Sequence, residues 1–314
     1  MRRARRAGVC AAGLVLAAAV VLAPRTAGAS TACADVRAGD TVRLPAARAP
    51  RVVLLQGSLG IVTMAPFGAF LAGMGYPERA LVDSRTGAMT SDSDLDGRAL
   101  AGMLAWYYER DGVRPLIVGH SKGGGVVIEA LRALAGAYGD QIPVVDPRTG
   151  DALARTRFRD PLTGEERPVV GLRLPFAAAI ATGRLPRVLR GQFALAARLR
   201  DVPDSAETFA GFAIPFDPIA GTLAGDEDPY RAVGQARVRN VVLPASTSHI
   251  GLPRAEHLAR DPVTRAWIDA FRPDAPAAPP EGVDTENLVH AAYLWHEIKL
   301  AWCGEAERAA QRGG

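Results

Sequence analysis

The sequence predicts an α/β fold with a mostly parallel central sheet and helices on both of its faces. Along residues 50–272, short apolar runs alternate with longer stretches of helical periodicity, the pattern of strands joined by crossover helices. The runs at 51–56 and 115–118 are apolar at nearly every position, which is typical of strands buried on both faces. Each run ends in a glycine-containing turn, where the chain can change direction sharply.

The individual elements follow from the same periodicity. Helix 92–110 has Ser91 as its expected N-cap and Asp92, Asp94 and Asp96 in its first turns, where the helix dipole favours acidic side chains. Capping accounts for these aspartates better than a metal site does. The expected strands are 41–44, 51–56, 80–82, 116–119, 169–174, 209–214 and 238–243, and the expected helices are 65–73, 92–110, 125–134, 176–201 and 285–303.

Two similar turns interrupt the sheet pattern between the helix at 125–134 and the strand at 169–174. Residues 146–151 and 160–165 both contain Asp-Pro followed by Thr-Gly, which is typical turn chemistry. We expect a β-ribbon excursion here. Calcium binding is disfavoured because the oxygen-ligand spacing of known calcium loops is missing.

Residues 176–201 combine apolar positions with arginines and form one or two expected helices. An insertion at this place in the chain can cover the mouth of a site as a lid. Ordinary packing helices of the core are the alternative.

The N-terminal 29 residues have the pattern of a secretory signal peptide. Four arginines at positions 2, 3, 5 and 6 precede an apolar run and the small residues Ala27-Gly28-Ala29. We expect cleavage near Ser30, a secreted or periplasmic protein, and no stable membrane span after cleavage. The expected catalytic domain is 30–272, followed by a Pro/Ala-rich linker at 273–284 and a C-terminal helix within 285–314 that docks on the core.

The charge of the chain argues against nucleic-acid binding. The formal net charge is +4, but the signal region carries five arginines and no acidic residue, so its removal leaves −1. A basic surface for phosphate contacts is therefore not indicated.

Two cysteines remain beyond the signal region, Cys33 and Cys303, near opposite ends of the processed chain. In an oxidising compartment an even pair favours a disulfide, which here would tie the two termini together. Two unrelated thiols are the alternative.

The strongest motif is Gly119-His120-Ser121-Lys122-Gly123, which lies between a predicted strand and a predicted helix. A serine at the apex of such a strand–turn–helix is a nucleophile elbow. The turn strains the serine backbone, and the flanking glycines let strand and helix approach closely. The sequence therefore predicts Ser121 as a nucleophile.

A serine hydroxyl needs a base and a group that orients the base. Among the five histidines, His249 follows the last predicted strand, in a loop at the carboxyl edge of the sheet where α/β sites are assembled. The acid is expected between serine and histidine in the chain, and Asp217 after strand 209–214 is the leading candidate. Asp226 and Asp228 are the alternatives.

An oxyanion hole requires two N–H donors. The residue after the nucleophile, Lys122, supplies the first through its backbone, and its side chain is expected to face solvent. The turn after the first central strand, Gln56-Gly57-Ser58, supplies the second, with Ser58 as the leading candidate and Leu59 as the alternative.

Together, the Ser121 elbow, the Gln56-Gly57-Ser58 turn, Asp217 and His249 resemble the α/β-hydrolase superfamily, in particular its secreted lipase and esterase branches, over about residues 50–272. The family commonly has His-Gly where this chain has Gln56-Gly57. The resemblance implies hydrolysis of a small-molecule or lipid ester through an acyl-enzyme, with no cofactor and no metal. An acyltransferase using the same triad and a catalytically silent binding module are the alternatives.

Overall fold

Five parallel strands form the central sheet in the computed structural model, which describes residues 29–40, 42–184, 188, 191, 193–222 and 228–311. Nine strands are described, and their bounds are β1 Val52–Leu55, β2 Leu116–His120, β3 Arg157–Arg159, β4 Glu166–Pro168, β5 Leu174–Ile180, β6 Asp201–Val202, β7 Ala206–Ala213, β8 Arg231–Ala232 and β9 Arg237–Val242. The sheet order is β1-β2-β5-β7-β9, and all four pairings are parallel. The expected signal sequence up to residue 28 lies outside the described residues.

Helices cover both faces of this sheet, as the sequence predicts. The α-helices are α1 Ala29–Ala38, α2 Ala65–Gly73, α3 Gly97–Asp111, α4 Lys122–Leu134, α5 Phe193–Arg198, α6 Pro262–Asp269 and α7 Leu288–Ala310. Leu54 and Val118 belong to the core with α2 and α7, whereas their neighbours Leu55 and Ile117 belong to the core with α3 and α4. This alternation follows from the two-residue period of a strand.

The sequence analysis was wrong about the bounds of strand β5 and about the residues that follow 174. It predicted a strand at 169–174 and helix from residue 176, but the strand is Leu174–Ile180 and all seven of its residues are buried. Its three alanines favour helix intrinsically. Pairing with β2 and β7 on either side overrides that preference because the strand is central and fully enclosed. The first part of the expected lid is therefore core sheet, and α5 is the helix described in the rest.

Two expected strands are absent from the described residues, and the start of one helix differs. Residues 42–44 form no strand, and Glu78–Ala80 is a single 3₁₀ turn instead of the start of a strand. The helix expected from residue 92 begins at Gly97, with Asp96 as its N-cap, accepting a hydrogen bond from the Arg98 amide at 2.8 Å. Ser91 instead pairs its backbone with the end of β1, donating to Leu54 O at 2.7 Å. The expected serine cap is therefore wrong: one of the aspartates expected in the first turns, Asp96, caps the helix instead.

The ribbon predicted around the two Asp-Pro turns is present. Strands β3 and β4 pair antiparallel across the second turn. In both turns the glycine amide donates to the carbonyl of the leading aspartate, Gly150 to Asp146 at 2.8 Å and Gly164 to Asp160 at 2.7 Å. The same aspartate side chains bond to arginines of the ribbon, Arg148 and Arg167.

The C-terminal helix α7 packs against the first helix and the sheet. Cys33 of α1 and Cys303 of α7 lie with their sulfur atoms 2.10 Å apart, the pairing expected from the sequence. Both cysteines are buried. Residues 273–284 form neither helix nor strand, in keeping with a linker, and α7 begins three residues later than expected. None of the helices within the described ranges has the length and apolar character needed to cross a membrane.

Candidate active site

The turn between β2 and α4 places Ser121 in a strained backbone conformation. Its φ is 53° and its ψ is −118°, in a region that side-chain-bearing residues rarely adopt. A Cβ on Gly123 would lie 2.5 Å from Leu55 O, so only glycine lets α4 approach the end of β1 here. Gly119 packs against the backbone of Gly123, and a Cβ on Gly119 would likewise have no room. The observed geometry is the elbow predicted from the motif.

The structure brings the three predicted residues into one hydrogen-bonded chain. His249 Nε2 lies 3.0 Å from Ser121 Oγ, and His249 Nδ1 lies 2.6 Å from Asp217 Oδ2. An ionised carboxylate can only accept, so Nδ1 carries the proton and Nε2 offers its lone pair to the serine hydroxyl. This arrangement lets the imidazole remove the serine proton.

Asp217 is held as a carboxylate by its surroundings. Burial opposes its ionisation, but hydrogen bonds from His249 and from the Ala220 and Ile219 amides outweigh burial and lower the pKa of Asp217 below its ordinary value. The two amides lie 3.0 Å and 3.1 Å from Oδ1. The negative charge is thus available to stabilise a protonated His249.

Asp228, one of the two alternative acids, does not take this position. Asp228 Oδ2 accepts a hydrogen bond from Arg200 Nε at 3.1 Å and forms an ion pair with Arg184, whose Nε lies 2.9 Å away, so it is tied to the segment after β5. Asp226 lies outside the described residues. The geometry therefore favours Asp217.

The turn expected to supply the second oxyanion donor lies beside Ser121. A Cβ on Gly57 would lie 3.3 Å from Ser121 Cβ, so the backbone of this turn runs directly beside the serine. Buried Ser93 donates to Gly57 O at 3.0 Å. Because Gly57 O and the Ser58 amide belong to one planar peptide, this bond also fixes the direction of the Ser58 N–H. The sequence analysis missed Ser93, since nothing local links it to residue 57.

The side chain of Lys122 is not simply solvent-facing, as the sequence analysis expected. It is 17% exposed and forms an ion pair with the Asp94 carboxylate, which precedes α3. Its backbone amide stays at the N-terminus of α4, directly after the nucleophile. The ion pair therefore holds the Lys122 side chain against Asp94. The backbone N–H of Lys122 is the group that could donate to an oxyanion.

Two further residues support the site and were not found from the sequence. His120 is 1% exposed, and its Nε2 donates to His249 O at 2.9 Å. Burial and the neighbouring His249 lower the pKa of His120 to about 3, so its ring is neutral at physiological pH. Thr182 Oγ1 donates to Ser121 O at 3.1 Å. The only local signal was a polar histidine at the end of an otherwise apolar strand.

Exposed apolar side chains flank the site residues in three separate loops. Leu59 and Ile61 follow Ser58, Phe216 and Ile219 surround the acid, and Ile250 follows the base. Their exposed fractions run from 43% to 93%. Single exposed apolar residues are common, but all five of these lie within three residues of Ser58, Asp217 or His249 in the chain. We refer to these five residues below as the apolar rim.

A separate cleft of about 820 Å³ lies at the opposite, amino-terminal edge of the sheet, between α7 and the starts of β5, β7 and β9. It is lined by charged residues, including Arg114, Arg237 and Glu297, and none of the triad residues borders it. Within the described ranges, Cys33, Cys303 and Glu307 are the one group close enough to share a metal ion, and the two cysteines form the disulfide.

Comparison of the chain with protein-family models, with curated proteins and with solved structures found no match.

Proposed function

We propose that this protein is a serine hydrolase that cleaves carboxylic esters through an acyl-enzyme. The observation that carries the proposal is the continuous relay from Ser121 through His249 to Asp217, with 3.0 Å and 2.6 Å between the bonded atoms. The strained Ser121 backbone supports it, since such strain accompanies function. The chain order Ser, Asp, His also agrees with the proposed resemblance to α/β-hydrolases.

In the first half-reaction, Ser121 Oγ attacks the ester carbonyl while His249 Nε2 takes the hydroxyl proton. The Ser58 and Lys122 amides stabilise the oxyanion that forms. The tetrahedral intermediate then breaks its bond to the alcohol oxygen, which receives the proton from His249 and leaves. Ser121 now carries the acyl group.

In the second half-reaction, water attacks the acyl carbonyl and gives its proton to His249. The bond from the carbonyl carbon to Ser121 Oγ breaks, the proton returns to the serine, and the carboxylic acid leaves. Asp217 accepts the Nδ1–H bond throughout and stabilises the imidazolium. No cofactor is needed for these steps.

The apolar rim favours an ester with an apolar acyl chain. The same triad could pass the acyl group to an alcohol instead of water, and an acceptor alcohol added to the assay would then yield a new ester in place of acid. A catalytically silent binding protein would give neither product.

Because the N-terminal region has the pattern of a signal peptide, we propose that the enzyme acts outside the cytoplasm.

A panel of nitrophenyl esters from short to long acyl chains tests the proposal. We expect wild-type turnover and a loss of about 10⁴-fold or more in Ser121→Ala. Ser246→Ala is the matched control, because Ser246 is exposed in the same loop as His249 but lies outside the relay. Equal activity in Ser121→Ala and wild type would refute the proposal.

A further inference from the structure

The loop that carries His249 has no sheet partner of its own. After β9 ends at Val242, residues 244–254 form a series of tight turns, with Leu252 N donating to Ser248 O at 3.0 Å. Turns of this kind fix the loop locally but do not fix where it lies against the core. The position of the base must therefore be set by contacts from outside the loop.

Side chains from outside the loop supply these contacts through its carbonyl groups. His290 Nε2 donates to Leu252 O at 2.9 Å, and the Asn287 amide donates to both Gly251 O and Arg254 O at 3.0 Å. Both donors belong to the start of α7. His120, described above, supplies the only other such donor among the described side chains.

His290 and Asn287 are both held in orientations that suit these hydrogen bonds. His290 is 1% exposed and stacks beside Phe67, with ring centroids 6.3 Å apart, so its ring has little freedom to rotate. Asn287 is the N-cap residue of α7 and has a φ of 59°, a left-handed conformation that asparagine tolerates better than most residues. This conformation directs its amide to the loop instead of to the helix.

The helix itself is firmly anchored at its far end. Cys303 is bonded to Cys33 of α1, and Lys299 Nζ donates to Asp269 of α6 at 2.7 Å. Because α7 is fixed in this way, the residues at its start can hold the His249 loop in one position.

We propose that His290 and Asn287 are positioning residues for the base, so that the C-terminal helix is part of the machinery that aligns His249 with Ser121. The inference rests on the proposed function. It predicts that losing these donors lowers the rate of the chemical step, because a displaced imidazole no longer meets the serine hydroxyl, while the substrate still binds.

Four variants test the inference. His290→Phe keeps an aromatic ring but removes the donor, and His290→Gln keeps a donor of similar reach. Asn287→Asp keeps a residue that tolerates the left-handed conformation but places an acceptor against two carbonyls. His296→Phe is the matched control, because His296 is a second buried histidine on α7 that bonds the Phe271 backbone and makes no bond to the His249 loop.

We expect His290→Phe and Asn287→Asp to lower kcat about 10- to 100-fold, in line with the cost of a small misplacement of a catalytic group. KM should stay within about twofold of wild type, because ground-state binding is unchanged. The rate of labelling by a fluorophosphonate should fall with kcat. His290→Gln should recover most of the rate, and His296→Phe should retain it even if its melting temperature falls as far as that of His290→Phe.

Asn287 is only half-buried, so Asn287→Asp keeps the test open if His290→Phe fails to fold. If wild type is active, an unchanged kcat in folded Asn287→Asp overturns the positioning role. A loss of kcat in His296→Phe as large as that in His290→Phe also overturns it. Wild type that neither hydrolyses esters nor reacts with the phosphonate overturns the proposed function itself, and the positioning role falls with it.

Discussion

Three buried histidines should make the stability of this protein fall steeply in mild acid. Burial lowers the pKa of His120 to about 3 and those of His290 and His296 to about 4. In the unfolded chain each would titrate near the ordinary value of about 6.5. Below that pH the unfolded chain binds protons that the folded protein does not, so the stabilisation present above about pH 6.5 is lost as the pH falls towards the folded pKa values.

The size of the effect follows from the two sets of pKa values. Between pH 7 and pH 5, each histidine should cost about 2 kcal/mol in the free energy of unfolding, or about 6 kcal/mol for all three. That is comparable with the whole stability of many domains. Glu297 acts in the opposite direction, because burial raises its pKa and the folded state then binds the additional proton. The sum for the histidines is therefore an upper value.

Urea denaturation followed by tryptophan fluorescence, at fixed ionic strength and at pH 7, 6 and 5, measures this loss. His296→Gln removes one titrating ring that lies away from the proposed active site, so its stability should fall less between pH 7 and pH 5, by about 2 kcal/mol. Equal stability of the wild type at pH 7 and pH 5, or the same pH dependence in the variant, would refute the reasoning.

Three other predictions concern the disulfide, the acid and the segment after β5. Replacing Cys33 and Cys303 by alanine opens a loop spanning 270 residues, for which we expect a loss of about 2–5 kcal/mol in urea denaturation; thiol titration of the unreduced, denatured exported protein should find no free thiol, and two thiols per chain would exclude the bond. Asp217→Asn should lower kcat by about 10⁴-fold with little change in KM, because the imidazole loses its orienting carboxylate. Asp228→Asn should have a far smaller effect, and the reverse ranking would move the role to Asp228. If the segment between β5 and β6 is a mobile lid, the rate should rise where the substrate begins to aggregate, whereas a hyperbolic curve through that point would leave it a packing element.

Local sequence was enough to predict the strained turn at Ser121 and to select His249 as the proposed base. The elbow needs only a strand, a glycine-flanked serine and a helix, all contained within a few consecutive residues around Ser121. His249 could be found because few histidines follow a predicted strand end. Asp217 was favoured over Asp226 and Asp228, which satisfy the same chain order, because it directly follows a predicted strand.

The missed features depend on contacts between distant parts of the chain. The alanine-rich strand β5 resembles a helix until its neighbours β2 and β7 enclose it. Ser93 and His290 carry no local signal, because their partners are the Gly57 and Leu252 carbonyls far away in the chain. Spatial neighbours of this kind become visible only once the chain is folded.

Reaction with a fluorophosphonate, followed by intact mass and peptide mapping, tests the proposed nucleophile most directly. An activated serine attacks the phosphorus, the P–F bond breaks and fluoride leaves with the hydroxyl proton, and the retained phosphonyl group adds a fixed mass to one residue. We expect one adduct per wild-type chain, located on Ser121, and none in Ser121→Ala. Wild-type protein that gains no adduct, or an adduct that persists in Ser121→Ala, would contradict the account.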